Sequence, residues 1–325
     1  MFVKECSLGI DIGGTKIAAG LVDRSGHVLK QQTYSTPKES KDRILDVLRE
    51  TVITFSNLAK EAGYNINGVG IGTAGQVNYD IGRIISGTSN ITDWNNIPII
   101  DYLKQYTSLP IYLDNDANTF AIAEYVFGEA RGTDNLIGLT LGTGVGGGVI
   151  SQGDLIRGEW GGAGELGHMT VNMNGPDCNC GSKGCIEVYA SGTGIANRMK
   201  ERLENLESTD LTEELKVYQG NRNQLTSKEV FSWYEAEMPV AKETINLAIL
   251  ALSYGIVNMI HTFNPSVIVL GGGLVREREW IATTIQEHIQ HKGMSSLIGT
   301  VDIRLSKLGY DAGLIGASSQ VWFQK

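Results

Sequence analysis

Leu8-Gly9-Ile10-Asp11-Ile12-Gly13-Gly14-Thr15 lines up, without a gap, on Ile137-Gly138-Leu139-Thr140-Leu141-Gly142-Thr143-Gly144. Each stretch is an apolar strand that breaks into small residues and returns as a second apolar strand. The offset of 129 residues predicts two similar β-rich halves, each giving one glycine hairpin to a shared cleft. Two hairpins of independent origin in an α/β protein are the plainer alternative. Outward from the first hairpin, apolar residues at helical spacing predict a helix over 42–62, stopped by Gly63. Residues 68–72 and 111–113 read as short buried strands. A helix opens at Asn115-Asp116 and runs to about Ala130. The tetrapeptide Val267-Ile268-Val269-Leu270 reads as a strand followed by Gly271-Gly272-Gly273 and a helix from about Glu277, and 311–323 closes the chain as a helix.

At 325 residues the chain is sized for two domains, and 42% hydrophobic with 19% charged residues describes a globular protein. The net charge of −9, with no basic block, excludes a nucleic-acid footprint. It does not exclude a nucleotide, whose phosphates can be met locally by N–H groups and a divalent cation. The apolar stretch 245–263 contains Asn246, Ser253, Gly255, Asn258 and His261, so it reads as a buried helix and not a membrane span. The N-terminus enters a strand at once, leaving no room for a signal peptide. Three of the four cysteines fall between Cys178 and Cys185, which reads as a metal site in a reducing compartment. The expectation is a cytoplasmic protein with no membrane or nucleic-acid partner.

The hairpin Asp11-Ile12-Gly13-Gly14-Thr15-Lys16 leaves N–H groups exposed with no Cβ to hold phosphate oxygens away. Asp11, just before the turn, is placed to meet the Mg²⁺ that accompanies ATP, through water. The spacing is neither that of a P-loop nor that of a dinucleotide-binding turn. Thr140 stands where Asp11 stands in the first copy, so only the first hairpin is equipped for a metal. Cys178-x-Cys180-x4-Cys185, with His168 ten residues upstream, offers three thiolates and one imidazole for a closed, tetrahedral, structural zinc site. A Cys178–Cys180 disulfide would close a strained ring. Asn115 and Asp116 are favoured helix caps. A carboxylate there could equally take the proton of an attacking hydroxyl.

Asp11-Ile-Gly-Gly-Thr-Lys16, Leu141-Gly-Thr-Gly-Val-Gly-Gly-Gly148, Glu165-Leu-Gly-His168 and Cys178-Asn-Cys-Gly-Ser-Lys-Gly-Cys-Ile-Glu187, in that order, resemble the ROK family of repressors and sugar kinases over nearly the whole chain. The resemblance implies an α/β, actin-like ATPase or ribonuclease H-like two-domain fold with a duplicated βββαβα core and a central cleft. The expected division is 1–116, completed by about 308–325, against 117–307 with the zinc loop. It implies Asp116 as catalytic base, with Asp114 the nearest competitor, and Gly75, Asn90, Asn115, Asp116, Glu165, His168 and Glu187 as hexose ligands. His168 would use its second ring nitrogen for the sugar. Asp11, Gly13, Gly14, Thr15, Lys16, Gly142, Thr143, Gly144, Gly271 and Gly272 would hold the nucleotide. The implied activity is ATP-dependent phosphorylation of a free hexose at its 6-hydroxyl, with polyphosphate as another donor to test. Glucose leads, because that activity is the commonest in the family. Ala74, where the glucose-specific members commonly have proline, Thr88, and the stretches 175–187 and 257–265 point instead to N-acetylmannosamine, with N-acetylglucosamine also in play. Regulators of the family carry a helix-turn-helix segment before the core, whereas here the first strand begins by about Ser7. A noncatalytic actin-like ATPase would need neither Glu165-Leu-Gly-His168 nor the cysteine loop. A homodimer or homotetramer is also implied.

Overall fold

The computed structural model describes residues 4–87, 91, 93–205, 215, 218 and 224–323. Two five-stranded sheets organise it. The first runs β3-β2-β1-β4-β7, from β1 (Lys4–Ile12), β2 (Lys16–Asp23), β3 (Val28–Ser35), β4 (Tyr64–Thr73) and β7 (Ile111–Asn115). The second runs β10-β9-β8-β11-β12, from β8 (Leu136–Leu141), β9 (Val145–Ser151), β10 (Asp154–Leu155), β11 (Val267–Gly271) and β12 (Asp302–Leu305). The two orders are the same once each sheet is numbered from its own first strand. That is the duplication expected of the actin-like ATPase architecture, and the two aligned octapeptides occupy matching places in it. A small hairpin of β5 (Gln76–Asn78) and β6 (Arg83–Ser86) follows β4.

By internal contacts the chain divides into two compact units. One holds Met1–Gly138, Gly147–Gly164 and Ser306–Lys325, the other Leu139–Gly146 and Glu165–Leu305. In the first unit β1 is buried along nearly its whole length, because it lies between β2 and β4 and is covered on its faces. Its core gathers Leu8, Ile10, Ile71, Leu113 and Trp94 with the inner face of α1 (Lys41–Glu61). Ser40 caps α1, and Ile44, Leu48, Val52, Phe55 and Ala59 recur on one face to meet the sheet. The helices α2 (Ile99–Leu103) and α3 (Asp116–Val126) follow. The chain's last helix, α10 (Ala312–Phe323), packs on β1, β4 and α3. It can come that close only because Gly70 lacks a side chain: a Cβ there would run into the carbonyl oxygen of Ala317.

The second unit is helical around β11. Its helices are α4 (Glu187–Ala190), α5 (Gly192–Asn205), α6 (Ser227–Glu235), α7 (Pro239–Phe263), α8 (Glu279–Ile289) and α9 (Ser295–Ile298). By length and composition α7 alone, among the described residues, could cross a membrane. Two-thirds of its most apolar window is buried, and it packs against α4, α5, α6 and α8. It is the core helix that the polar residues in 245–263 predict. The helix expected to run to Ala130 stops at Val126 and continues as turns to Gly132, where φ is +88°.

Candidate active site

In the first unit the strand register sets the site. Ile12 pairs with Thr73 and Thr73 with Asn115, while Asp11 pairs with Gly72 and Gly72 with Asp114. These three strands are parallel, so Asp11 and the Asp114–Asp116 segment emerge at the same carboxyl edge, two strand spacings, or about 10 Å, apart. Ligands of open α/β sheets bind at that edge. Between β1 and β2, Gly13 N–H donates to Lys16 O at 2.9 Å, and the Thr36 hydroxyl donates to Gly13 O at 2.6 Å. Among the described residues no acceptor takes the N–H groups of Gly14 and Thr15. Burial pushes the Asp11 carboxyl up to about 6, with Lys16 pulling the other way. A Cβ on Gly313, at the start of α10, would strike that carboxylate.

Asp116 is the first residue of α3, and its Oδ1 accepts the Ala117 N–H at 2.9 Å. Asn115 is the cap, accepting from Ala117 N–H at 2.8 Å and Asn118 N–H at 3.4 Å, so the capping reading is seen. Its amide also donates to Gly75 O at 2.9 Å, which joins two of the expected sugar ligands. Asp114 is bonded at both carboxylate oxygens. Oδ1 accepts from Asn118 Nδ2 at 2.7 Å and Asn115 N–H at 2.8 Å, and Oδ2 from Arg157 Nε at 2.8 Å. Its side chain is 1% exposed and that of Arg157 21%, and the guanidinium stacks 3.8 Å from the Tyr79 ring centre. Asp114 is therefore a buried structural partner of Arg157, whereas Asp116 is exposed at the strand edge. Asn90 lies outside the described residues.

In the second unit Gly142 N–H donates to Gly144 O at 3.0 Å, closing the β8–β9 turn. The N–H groups of Thr143 and Gly144 have no acceptor among the described residues, as in the first hairpin. The turn is strapped from outside: Gly192 N–H reaches Gly142 O at 2.7 Å, and Val145 N–H reaches Glu187 Oε2 at 2.9 Å. A groove of about 520 Å³ opens beside it, lined by Gly142, Thr143, Asn197, Lys200, Lys228, Gly273 and others. Gly271 is buried in β11 and Gly272 forms the turn with φ +96°, so of this glycine run Gly273 reaches the groove. Sequence reasoning missed Lys200, Lys228, Asn197 and Arg157. All four are ordinary helix or loop residues that only tertiary packing brings to a site.

His168, Cys178, Cys180 and Cys185 converge, their ligand atoms all within 4.8 Å of one another. Cys178 Sγ lies 3.5 Å from His168 Nδ1 and Cys180 Sγ 3.7 Å from Cys185 Sγ, with all cysteines free. A tetrahedral zinc with ordinary bond lengths has S···S edges of about 3.8 Å and S···N edges of about 3.5 Å. The residues fit the ion. Burial, with the neighbouring sulfurs adding to it, pushes the Cys185 thiol up to about 12 and raises Cys178, whereas the Ser182 backbone lowers Cys180. Such a cluster ionises fully only around a cation. Since Nδ1 faces the thiols, Nε2 of His168 is the nitrogen left for a substrate. Glu165, exposed, precedes the 3₁₀ turn Leu166–His168 and braces it through its carbonyl, 3.0 Å from His168 N–H.

The sequence pattern of the ROK family matches residues 7–324. A glucokinase of Thermotoga maritima is 36% identical over 96% of each chain. The crystal structure of a ROK family glucokinase from Streptomyces griseus, in complex with glucose and AMPPNP, superposes with a TM-score of 0.78 at 33% identity. That match covers 97% of this chain and 98% of that one. A xylose repressor of Bacillus subtilis is 28% identical over 97% of this chain and 76% of its own length.

Proposed function

The chain belongs to the ROK family, and on that premise we propose that it is an ATP-dependent hexose kinase acting on the 6-hydroxyl of glucose. One observation carries the catalytic reading: three parallel strands deliver Asp11 and Asp116 to one carboxyl edge, beside a turn with two open N–H groups. Asp116 takes the proton of the attacking hydroxyl. Asp114 is the poorer candidate, because it is buried and paired with Arg157 and Asn118. Glu165, Glu187 and His168 Nε2 orient the sugar hydroxyls, and Asn115 retains one amide hydrogen for the same task. The N–H pairs of Gly14–Thr15 and Thr143–Gly144 receive phosphate oxygens, as preorganised donors do for developing charge. Lys16, Lys200 and Lys228 add positive charge, and the groove beside Gly273 takes the nucleoside. Asp11 would hold the Mg²⁺ brought with the nucleotide, which would supply neutralisation of phosphate charge.

Zinc in the Cys3His cluster would be structural, since protein fills all four positions. Metal analysis of the purified protein is expected to find one zinc per chain, lost in Cys180→Ser. An ADP-coupled assay with glucose, mannose, N-acetylglucosamine and N-acetylmannosamine tests the activity. Glucose is expected to turn over fastest. Preference for N-acetylmannosamine would instead favour the reading drawn from Ala74 and the cysteine loop. Turnover of none ends the kinase proposal and leaves a sugar-responsive regulator. A cytoplasmic homo-oligomer is proposed with it, and light scattering of the purified chain would expose a monomer.

A further inference from the structure

Glu187 faces two ways. Its Oε2 accepts the Val145 N–H at 2.9 Å, and a Cβ placed on Gly144 would lie 2.6 Å from the same oxygen. The carboxylate is therefore packed into the β8–β9 turn and is the acceptor for the amide of a buried valine. Its Oε1 has no hydrogen-bond partner among the described residues. The backbone under it is braced on both sides. Ile186 N–H donates to Met169 O at 3.0 Å, and the Glu187 carbonyl accepts from Ser191 N–H at 3.2 Å.

We propose that Glu187 positions the phosphate-binding turn as well as holding the sugar, so that hexose and nucleotide bind cooperatively through one carboxylate. The proposal rests on the kinase reading above. A sugar hydroxyl donated to Oε1 fixes the rotamer that keeps Oε2 on Val145, and a nucleotide that orders the turn fixes the same rotamer from the other end. The ordering is done once and serves both ligands. By linkage, each ligand then raises the affinity of the other by the same factor. Among the described residues the Glu165 side chain makes no hydrogen bond to the turn, and it provides the contrast.

The test is calorimetric titration of the full chain with glucose, in the absence and presence of AMPPNP and Mg²⁺, and the reverse titration. In the native protein each ligand is expected to tighten the other about tenfold. In Glu187→Ala the affinity for AMPPNP alone is expected to fall about tenfold along with that for glucose, and the mutual enhancement to fall to about one. In Glu165→Ala only glucose affinity falls. Glu187→Gln keeps the shape and one oxygen for the Val145 N–H, but meets the sugar hydroxyl with a neutral amide donor in place of a charged acceptor, so the charge-assisted bond that couples sugar to turn is lost. It is expected to melt within a few degrees of the native protein and still lose the enhancement. Native affinity for AMPPNP in Glu187→Ala, or native enhancement in Glu187→Gln, overturns the proposal while the kinase reading stands. If the native protein turns over no hexose, the kinase reading fails and the proposal falls with it.

Discussion

The two glycine hairpins are copies in backbone and strangers in chemistry. Both leave two adjacent N–H groups without acceptors among the described residues. The first rises from a strand ending in Asp11 and is held by a hydroxyl, Thr36 to Gly13 O. The second rises from a strand with Thr140 in that place and is held by a carboxylate, Glu187 to Val145 N–H. A duplicated scaffold thus supplies the same donor geometry twice. On the proposed reading, the carboxylates that would handle a metal and a proton stand at the edge of the first sheet, whereas in the second unit the Glu187 carboxylate braces the turn.

That division breaks most visibly at Asp116. Asp116→Asn is expected to lower kcat by about 10²–10⁴-fold with little change in glucose KM, as loss of a general base does. Asp114→Asn, two residues away, is expected to do something else: it strips Arg157 of a buried partner and costs about 3 kcal/mol of stability. Turnover per folded molecule should fall less than in Asp116→Asn. Urea denaturation alongside steady-state kinetics separates the two. Equal kinetic and stability losses in both variants would mean that Asp114 and Asp116 share one role.

The same contrast shows how much was legible in advance. The aligned octapeptides disclosed the duplication, since backbone donors at a glycine turn are written directly in Gly, Thr and strand periodicity. The Cys178–Cys185 loop with His168 was legible because zinc demands soft ligands in few spacings. The choice between Asp114 and Asp116 was not, for both sit beside a favoured cap. What sets the two carboxylates apart is Arg157, 43 residues away from Asp114, which pairs with one of them and buries it. Lys200 and Lys228 gave no signal, because a lysine on a helix reads as a solvated face until packing brings it to a groove. Gly75 read as either turn or ligand, and its carbonyl bond to Asn115 ties the turn to the start of α3.

Asp11 sharpens the difference between the hairpins through pH. Its native carboxyl titrates at about 6 against an ordinary 3.8, because burial disfavours the charge. The sign follows: the native state holds the proton more tightly than the unfolded chain, so apo stability falls as pH rises from about 4 through about 6. Asp11→Asn is therefore expected to stabilise the apo protein at pH 7 by on the order of 1–3 kcal/mol. The cost to function is opposite. For MgATP, kcat/KM of the native enzyme should drop below about pH 6, since that parameter reports the free enzyme. The Asn variant should lack that limb and run slowly at every pH. A stability profile unchanged by Asp11→Asn would remove the buried charge from the account.

The smallest expected effect asks whether the first hairpin depends on its side-chain tether as the second does. Thr36→Val keeps the β-branched shape and the backbone bond from residue 36 to Thr15 O, but deletes the donor to Gly13 O. One such bond is worth about 1 kcal/mol, so the melting temperature should fall by about 2 °C. If the tether sets the aim of the Gly14 and Thr15 N–H groups, KM for MgATP rises by no more than about fivefold, with glucose KM unmoved. The confinement to one ligand is the point. Thr36 sits just past β3 and among the described residues bonds only the β1–β2 turn, whereas the Glu187 carboxylate has a second oxygen not bonded to its turn. A Thr36 variant that altered both KM values would show that the first turn, too, is wired to the sugar, and the contrast between the two hairpins would fail at its weakest joint.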